Sequence, residues 1–269
     1  MRIGTAGALA AAAVLTLGTP AAAMTGGARL ADPAAAPWMA TLAVKGPQPL
    51  LDRASCGGVL IGPSRVLTAA HCVDGVDPDQ VEVHIGASVF SKTPGTVRDI
   101  VASVSHPGYE LLPSPVDPDN LAMSSARNDV AVLGLSAPVR GVDHPAIAAH
   151  RPAPGAELDF YGHGLTGTPG PSNPDPRADV LRHGTLRAVD HRTCAADTPA
   201  TVDGRSMLCA RDPHGKVTAC PGDSGSPLIS REHGRPEVAG IMSFAGETAG
   251  RQCGEPSVVA FTDPRLLAR

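Results

Sequence analysis

The chain reads as all-β, built from short strands separated by many turns. Three observations carry this expectation. Gly 30 and Pro 27 among 269 residues supply turn residues throughout. Val81-Glu82-Val83-His84-Ile85 alternates strictly, as a half-buried strand should. The remaining apolar stretches are short, and beyond residue 23 none approaches the length that spans a bilayer. Aromatic residues are only 3% of the chain, so Val, Leu, Ile and Ala must fill the core. The length allows one large unit or two small ones.

Taken in order, the chain opens with Arg2, an apolar run from Ala8 to Leu17, and then Ala21-Ala22-Ala23. This reads as a secretory signal peptide over residues 1–23. A membrane anchor is the alternative, but the run is short for spanning. A secreted protein without stable membrane association is therefore expected. Strands follow at Trp38–Val44, Cys56–Ile61, Val66–Thr68, Val81–Ile85, Val97–Val104 and Val130–Leu135, the last opened by Asp129. Leu111 to Arg127 is a long Pro/Asp/Ser-rich loop without strand pattern, either a flexible wall beside a cleft or plainly disordered. Ala137 to Pro154, with four prolines, is a crossover. A second set of strands occupies Glu157–Tyr161, Leu181–Val189, Met207–Ala210, Pro227–Ile229, Glu237–Ser243 and Ser257–Phe261. Asp263-Pro264 caps a short terminal helix.

The formal net charge is −4, and no basic block suggests a nucleic-acid partner. Six cysteines in an exported chain point to disulfides, although the sequence alone leaves their pairing open. A metal site is the competing use, and no pair shows the short spacing of zinc ligands.

Three segments carry chemistry. Cys220-Pro221-Gly222-Asp223-Ser224-Gly225-Ser226-Pro227 places a serine among small, turn-permitting residues, where its hydroxyl can be exposed. Taken alone it could be an ordinary Gly/Ser/Pro surface loop. Upstream lie Thr68-Ala69-Ala70-His71-Cys72 and Asn128-Asp129-Val130-Ala131-Val132-Leu133. A serine hydroxyl needs a base to take its proton during attack. Histidine, with a pKa of about 6.5, suits that task, and a buried carboxylate can fix its tautomer.

Together, in the order His, Asp, Ser, these segments resemble the chymotrypsin/trypsin-like serine peptidases, over nearly all of the chain after residue 23. The resemblance implies two packed antiparallel β-barrels with a short C-terminal helix, residues 24–145 and 146–269. It implies a serine endopeptidase working through an acyl-enzyme, with His71, Asp129 and Ser224 as triad and the amides of Gly222 and Ser224 as oxyanion donors. No cofactor or metal is implied. Polypeptide substrates are the expected partners, with proteinaceous protease inhibitors as further ones. The disulfides it selects are Cys56–Cys72, Cys194–Cys209 and Cys220–Cys253. Met24-Thr25-Gly26-Gly27 is similar to the mature terminus of such enzymes, whose α-amino group pairs with the aspartate before the nucleophile, here Asp223.

Three positions depart from the family pattern, the first being Met24, which stands where relatives carry a β-branched residue. Ser226 replaces a second glycine, and His163 stands in Gly162-His163-Gly164 where relatives carry tryptophan; it is expected to be an exposed loop histidine. The resemblance puts Thr218 at the floor of the primary pocket, with Ala245 and Ser257 narrowing it and Ser243-Phe244-Ala245 pairing with the substrate main chain. No acid stands at Thr218, which argues against strict Arg/Lys specificity, although Glu247, Arg251 and Glu255 lie near the rim. Two other classes compete with this reading. A non-catalytic homologue acting as a binding module would usually have lost a triad residue. An α/β-hydrolase esterase would need Gly-x-Ser-x-Gly and the order Ser, Asp, His.

Overall fold

The computed structural model describes residues 24, 26–29, 32–171, 173–231, 234–245, 253–255 and 257–268. Residues 1–23, read above as a signal peptide, and Glu247 and Arg251 lie outside them. Among the described residues sixteen strands are formed: β1 (Ala28–Arg29), β2 (Met39–Val44), β3 (Ala54–Gly62), β4 (Arg65–Thr68), β5 (Val81–Ile85), β6 (Thr96–Ser105), β7 (Glu110–Leu112), β8 (Ser125–Arg127), β9 (Ala131–Leu135), β10 (Ala146–Ile147), β11 (Glu157–Gly162), β12 (Arg182–Val189), β13 (Met207–Arg211), β14 (Pro227–Ser230), β15 (Glu237–Ala245) and β16 (Val259–Thr262). Among the same residues two short α-helices join them, α1 (Leu50–Arg53) and α2 (His191–Asp197).

β2, β3, β4, β9, β6 and β5 close into one barrel. β12, β11, β14, β15, β16 and β13 follow one another in a second sheet, and the pairing of β12 with β13 closes it. The pairings are antiparallel except for β10 with β15, so the parallel sheet of an α/β-hydrolase is not present among the described residues. Closure leaves few free edges, which suits strands as short as these.

Both barrels are filled by aliphatic side chains, as the scarcity of aromatics requires. Leu60, Leu67 and Leu133 are wholly buried in a cluster that continues into Leu181, Ile229 and Ile241 of the second half. Trp38 meets Tyr161 edge to face at 5.2 Å across this junction, a geometry worth about 1 kcal/mol beyond the area buried. Phe160 and Phe261 make the corresponding contact, at 5.3 Å, inside the second barrel. The first segment of the described chain belongs to that second core: Met24 is fully buried within it, and Ala28–Arg29 pair with His183 and Arg182. Arg182, itself buried, donates from Nη1 to Gly27 O at 2.9 Å.

Several details differ from the sequence expectation. The stretch from Leu111 to Arg127 is not patternless, because β7 and β8 pair at its ends in register Leu111 with Ala126. Ser125 Oγ donates to Thr201 O at 2.5 Å, which fastens this hairpin to the second half. The strand containing Val130–Leu135 begins at Ala131, so Asp129 sits in the turn before it. α2 has no counterpart in the sequence expectation; Asp190 caps it by accepting from Thr193 N–H at 2.7 Å. The terminal helix is a 3₁₀ turn, Pro264–Ala268. His163 is not an exposed loop residue. It is partly buried, stacked on Phe90 at 3.9 Å, with both ring nitrogens against carbonyl oxygens.

Candidate active site

His71 stands on a 3₁₀ turn, Ala70–Cys72, at the end of β4. Cys56–Cys72 ties this turn back to β3. Closing a loop of that size stabilises by about 3 kcal/mol on the chain-entropy account. Asn128 takes the left-handed conformation, φ 51°, which asparagine tolerates better than most residues. That turn directs Asp129 inward, where it has no exposed surface. The buried carboxylate is fully engaged. Oδ1 accepts from the His71 amide at 2.9 Å, and Oδ2 accepts from His71 Nδ1 at 2.7 Å and from Ser243 Oγ at 2.6 Å.

These contacts set the imidazole's properties. Burial lowers its pKa, but the hydrogen bond and charge of Asp129 outweigh burial and hold it above the usual value. With Nδ1–H donated to Asp129, Nε2 carries the lone pair. Its neighbour at 3.7 Å is Cys72 Sγ, a disulfide sulfur with no proton to give, so the lone pair stays available. Cys56, His71 and Cys72 bring potential ligand atoms within 4.8 Å of one another. The two sulfurs are bonded to each other, so no thiolate is there to hold a cation.

Ser224 lies on a turn held by the amides of Asp223, Gly225 and Ser226. Asp223 N–H reaches Cys220 O at 3.0 Å, Gly225 N–H reaches Met242 O at 2.8 Å, and Ser226 N–H reaches Asp223 O at 3.0 Å. Gly57 N–H donates to Ser224 O at 2.7 Å, which fastens the turn to the first barrel. Gly225 has φ 79°, and a Cβ there would lie 2.3 Å from Thr68 Oγ1, so only glycine fits. His71, Asp129 and Ser224 line one cleft of about 400 Å³ between the barrels. Leu111, Leu121 and Ala126 of the hairpin form one wall, and Ala219–Pro221 with Met242–Ala245 form the other. Asp129 is the one acid among the described lining residues.

The residues expected to set specificity are placed unevenly. Ser243, Phe244 and Ala245 line the cleft, but the described lining includes neither Thr218 nor Ser257. Thr218 is buried, and its hydroxyl is paired with Ser257 Oγ at 2.8 Å. Glu255 is exposed. Ser243 has a second engagement that no sequence signal announces, its hydroxyl on Asp129.

Asp223 is buried without exposed surface, accepting from Gly164 N–H at 2.7 Å and Cys220 N–H at 2.9 Å. Burial pushes its pKa up to about 7, against the pull of those two amides. The Met24 side chain lies nearby. A Cβ on Gly162 would sit 3.6 Å from Met24 Cε and 2.0 Å from Asp223 Oδ1. All three disulfides pair as the resemblance implied, Cys56–Cys72, Cys194–Cys209 and Cys220–Cys253.

Two closed, six-stranded antiparallel barrels with a cleft between them define a chymotrypsin-like fold. The family described as Trypsin matches residues 25–263. The chain is 32% identical over 208 residues to the "Trypsin" of Saccharopolyspora erythraea, covering 76% of this chain and 81% of that one. It is 30% identical over 210 residues to the "Vitellin-degrading protease" of Bombyx mori (75% and 69%). With the human "Kallikrein-11" the figures are 28% over 217 residues, 79% and 67%. The chain belongs to the trypsin family, and it is a serine-type endopeptidase, a hydrolase acting on polypeptides.

Proposed function

We propose that this endopeptidase works through an acyl-enzyme, with Ser224 as nucleophile, His71 as base and then acid, and Asp129 as the carboxylate that orients His71. The observation that carries this reading is the buried Asp129 holding His71 Nδ1 at 2.7 Å on the cleft that Ser224 shares. Ser224 Oγ attacks the scissile carbonyl carbon while its proton passes to His71 Nε2. Negative charge then develops on the carbonyl oxygen, facing the amides of Gly222 and Ser224. The C–N bond breaks as His71 returns the proton to the leaving amine. Water, deprotonated by His71, attacks the acyl carbon, and His71 returns that proton to Ser224 Oγ as the acyl–oxygen bond breaks.

The cleft lining supports uncharged substrate side chains. Thr218 and Ser257 satisfy each other, and among the described lining residues no acid other than Asp129 could pair with an arginine or lysine. Small or medium uncharged residues before the scissile bond, bound beside Ala245 and Met242, fit this wall. Phe244 and its neighbours at the end of β15 offer main-chain groups to the substrate.

Asp223 supports a role for the N-terminus. Among the described residues no cation pairs with this deeply buried carboxylate, and an α-amino group on Met24 would supply one. Cleavage after Ala23 would make that group, so export and activation become a single event. On this reading the protein is secreted and meets polypeptide substrates and proteinaceous inhibitors outside the cell. Among the described residues no helix is long and apolar enough to cross a membrane.

The test is a peptide-library cleavage profile of secreted, N-terminally sequenced protein beside its Ser224→Ala variant. Loss of roughly 10⁶-fold in kcat is expected for the variant. Near-normal hydrolysis by folded Ser224→Ala protein would overturn the triad, and a profile dominated by Arg or Lys would overturn the specificity.

A further inference from the structure

We propose that His163 is a positioning residue, which clamps the bed of the Ser224 turn to the first barrel and so holds the oxyanion donors in place. The inference rests on the reading of Gly222 and Ser224 given above. Residues 163–165 and 221–224 behave as one unit. Leu165 N–H donates to Pro221 O at 2.9 Å, and Gly164 N–H donates to Asp223 Oδ1 at 2.7 Å. Gly222, with φ 94°, lies directly on Gly164: a Cβ at Gly222 would be 3.2 Å from Gly164 Cα. A Cβ at Gly164 would lie 2.3 Å from the Asp223 carboxyl, so neither backbone can shift without the other.

The side chain of His163 leaves this unit and crosses to the other barrel. Its Nε2 is 2.9 Å from Ala87 O, and its ring stacks on Phe90 at 3.9 Å, both in the connection between β5 and β6. Nδ1 is 3.2 Å from Ala178 O, in the second half. A neutral imidazole has one N–H, and the shorter contact places it on Nε2, donating across the junction. The clamp is thus one hydrogen bond plus one stacked ring, a single residue away from the amide that fixes Asp223. His163 also lines a small cavity with Gly222 and Ser226, whose buried Oγ has no hydrogen-bond partner among the described residues.

Donors aimed at a developing oxyanion lose effect steeply when displaced, because they act by being fixed beforehand. His163→Phe keeps the stacked ring and removes the hydrogen bond. It is expected to lower kcat for a peptide amide about tenfold, with KM within about twofold of wild type. Affinity for a peptide aldehyde, whose adduct carries the oxyanion, should fall by the same factor. His163→Gln, which restores an N–H donor but not the stacked ring, should recover only part of both. Phe90→Leu attacks the clamp from the first barrel without touching the turn and should lower kcat and aldehyde affinity together. That variant keeps the test decisive if His163→Phe fails to fold. A merely structural role would lower Tm and leave kcat and aldehyde affinity alone, and that result in folded His163→Phe, or in Phe90→Leu, overturns the clamp. Hydrolysis persisting in Ser224→Ala would instead overturn the reading of the site, whatever His163 does.

Discussion

The buried Asp223 gives the uncut chain a pH dependence opposite in sign to that of most carboxylates. Its folded pKa of about 7 stands above the ordinary 3.8 because burial opposes its charge. Between those values the folded state binds a proton that the unfolded state has released, so stability falls as pH rises. A tenfold change in proton affinity is worth about 1.4 kcal/mol, so the full cost at pH above 7 is about 4 kcal/mol. That is a large fraction of a typical domain's stability. The perturbation is removal of residues 1–23, which would give Met24 an ammonium beside the carboxylate. Two chains are compared in a Ser224→Ala background, one full-length and one beginning at Met24. Their unfolding free energies are measured by urea titration from pH 4 to pH 8. The full-length chain should lose stability across this range, and Asp223→Asn should flatten most of the slope. The chain starting at Met24 should show little slope, because the pair keeps Asp223 ionised. An identical slope in full-length protein with and without Asp223→Asn would refute the reasoning.

Three further outcomes follow from the site and its surroundings. The raised pKa of His71 places the acid limb of kcat/KM above about 6.5, with activity rising as the imidazole loses its proton; Asp129→Asn should move the limb down and cost about 10⁴-fold in kcat. Leu121→Ser should lower kcat/KM about tenfold for peptides with a bulky apolar residue near the scissile bond, while hydrolysis of a small ester that cannot reach the hairpin stays unchanged. The pKa of His163, which burial lowers to about 4, makes folding exclude a proton, so stability is complete above about pH 6.5 and declines by at most about 3 kcal/mol as pH falls to 4; acid titration of His163→Phe should lack this component.

Long-range structure was legible where side chains alone report it. Val81, Val83 and Ile85 face the core, so their alternation marked β5 to the residue. The segments proposed to carry the triad stood out because each residue is bracketed by neighbours that fix its local turn, such as Asn128 before Asp129. The β7–β8 hairpin was hidden because its ladder is made by backbone groups, three residues to a strand, and the pairing asks nothing of the side chains. α2 buries only Cys194 and offers no apolar stripe; Asp190 as a cap was its sole local signal. His163 misled for a different reason. Its partners Ala87, Phe90 and Ala178 are remote in sequence, so nothing nearby announces that the ring is held.

The pairing of Ala28–Arg29 with β12, and the burial of Met24 in the second core, also order events during synthesis. The strand that receives Ala28–Arg29 begins at Arg182, and the carboxylate near Met24 is at position 223. When the first barrel's strands have all been made, through Leu135, the N-terminal segment still has no surface to dock on. Only after some two hundred residues have been added does its seat exist, so any cleavage before Met24 would have the whole of that interval before docking competes with it.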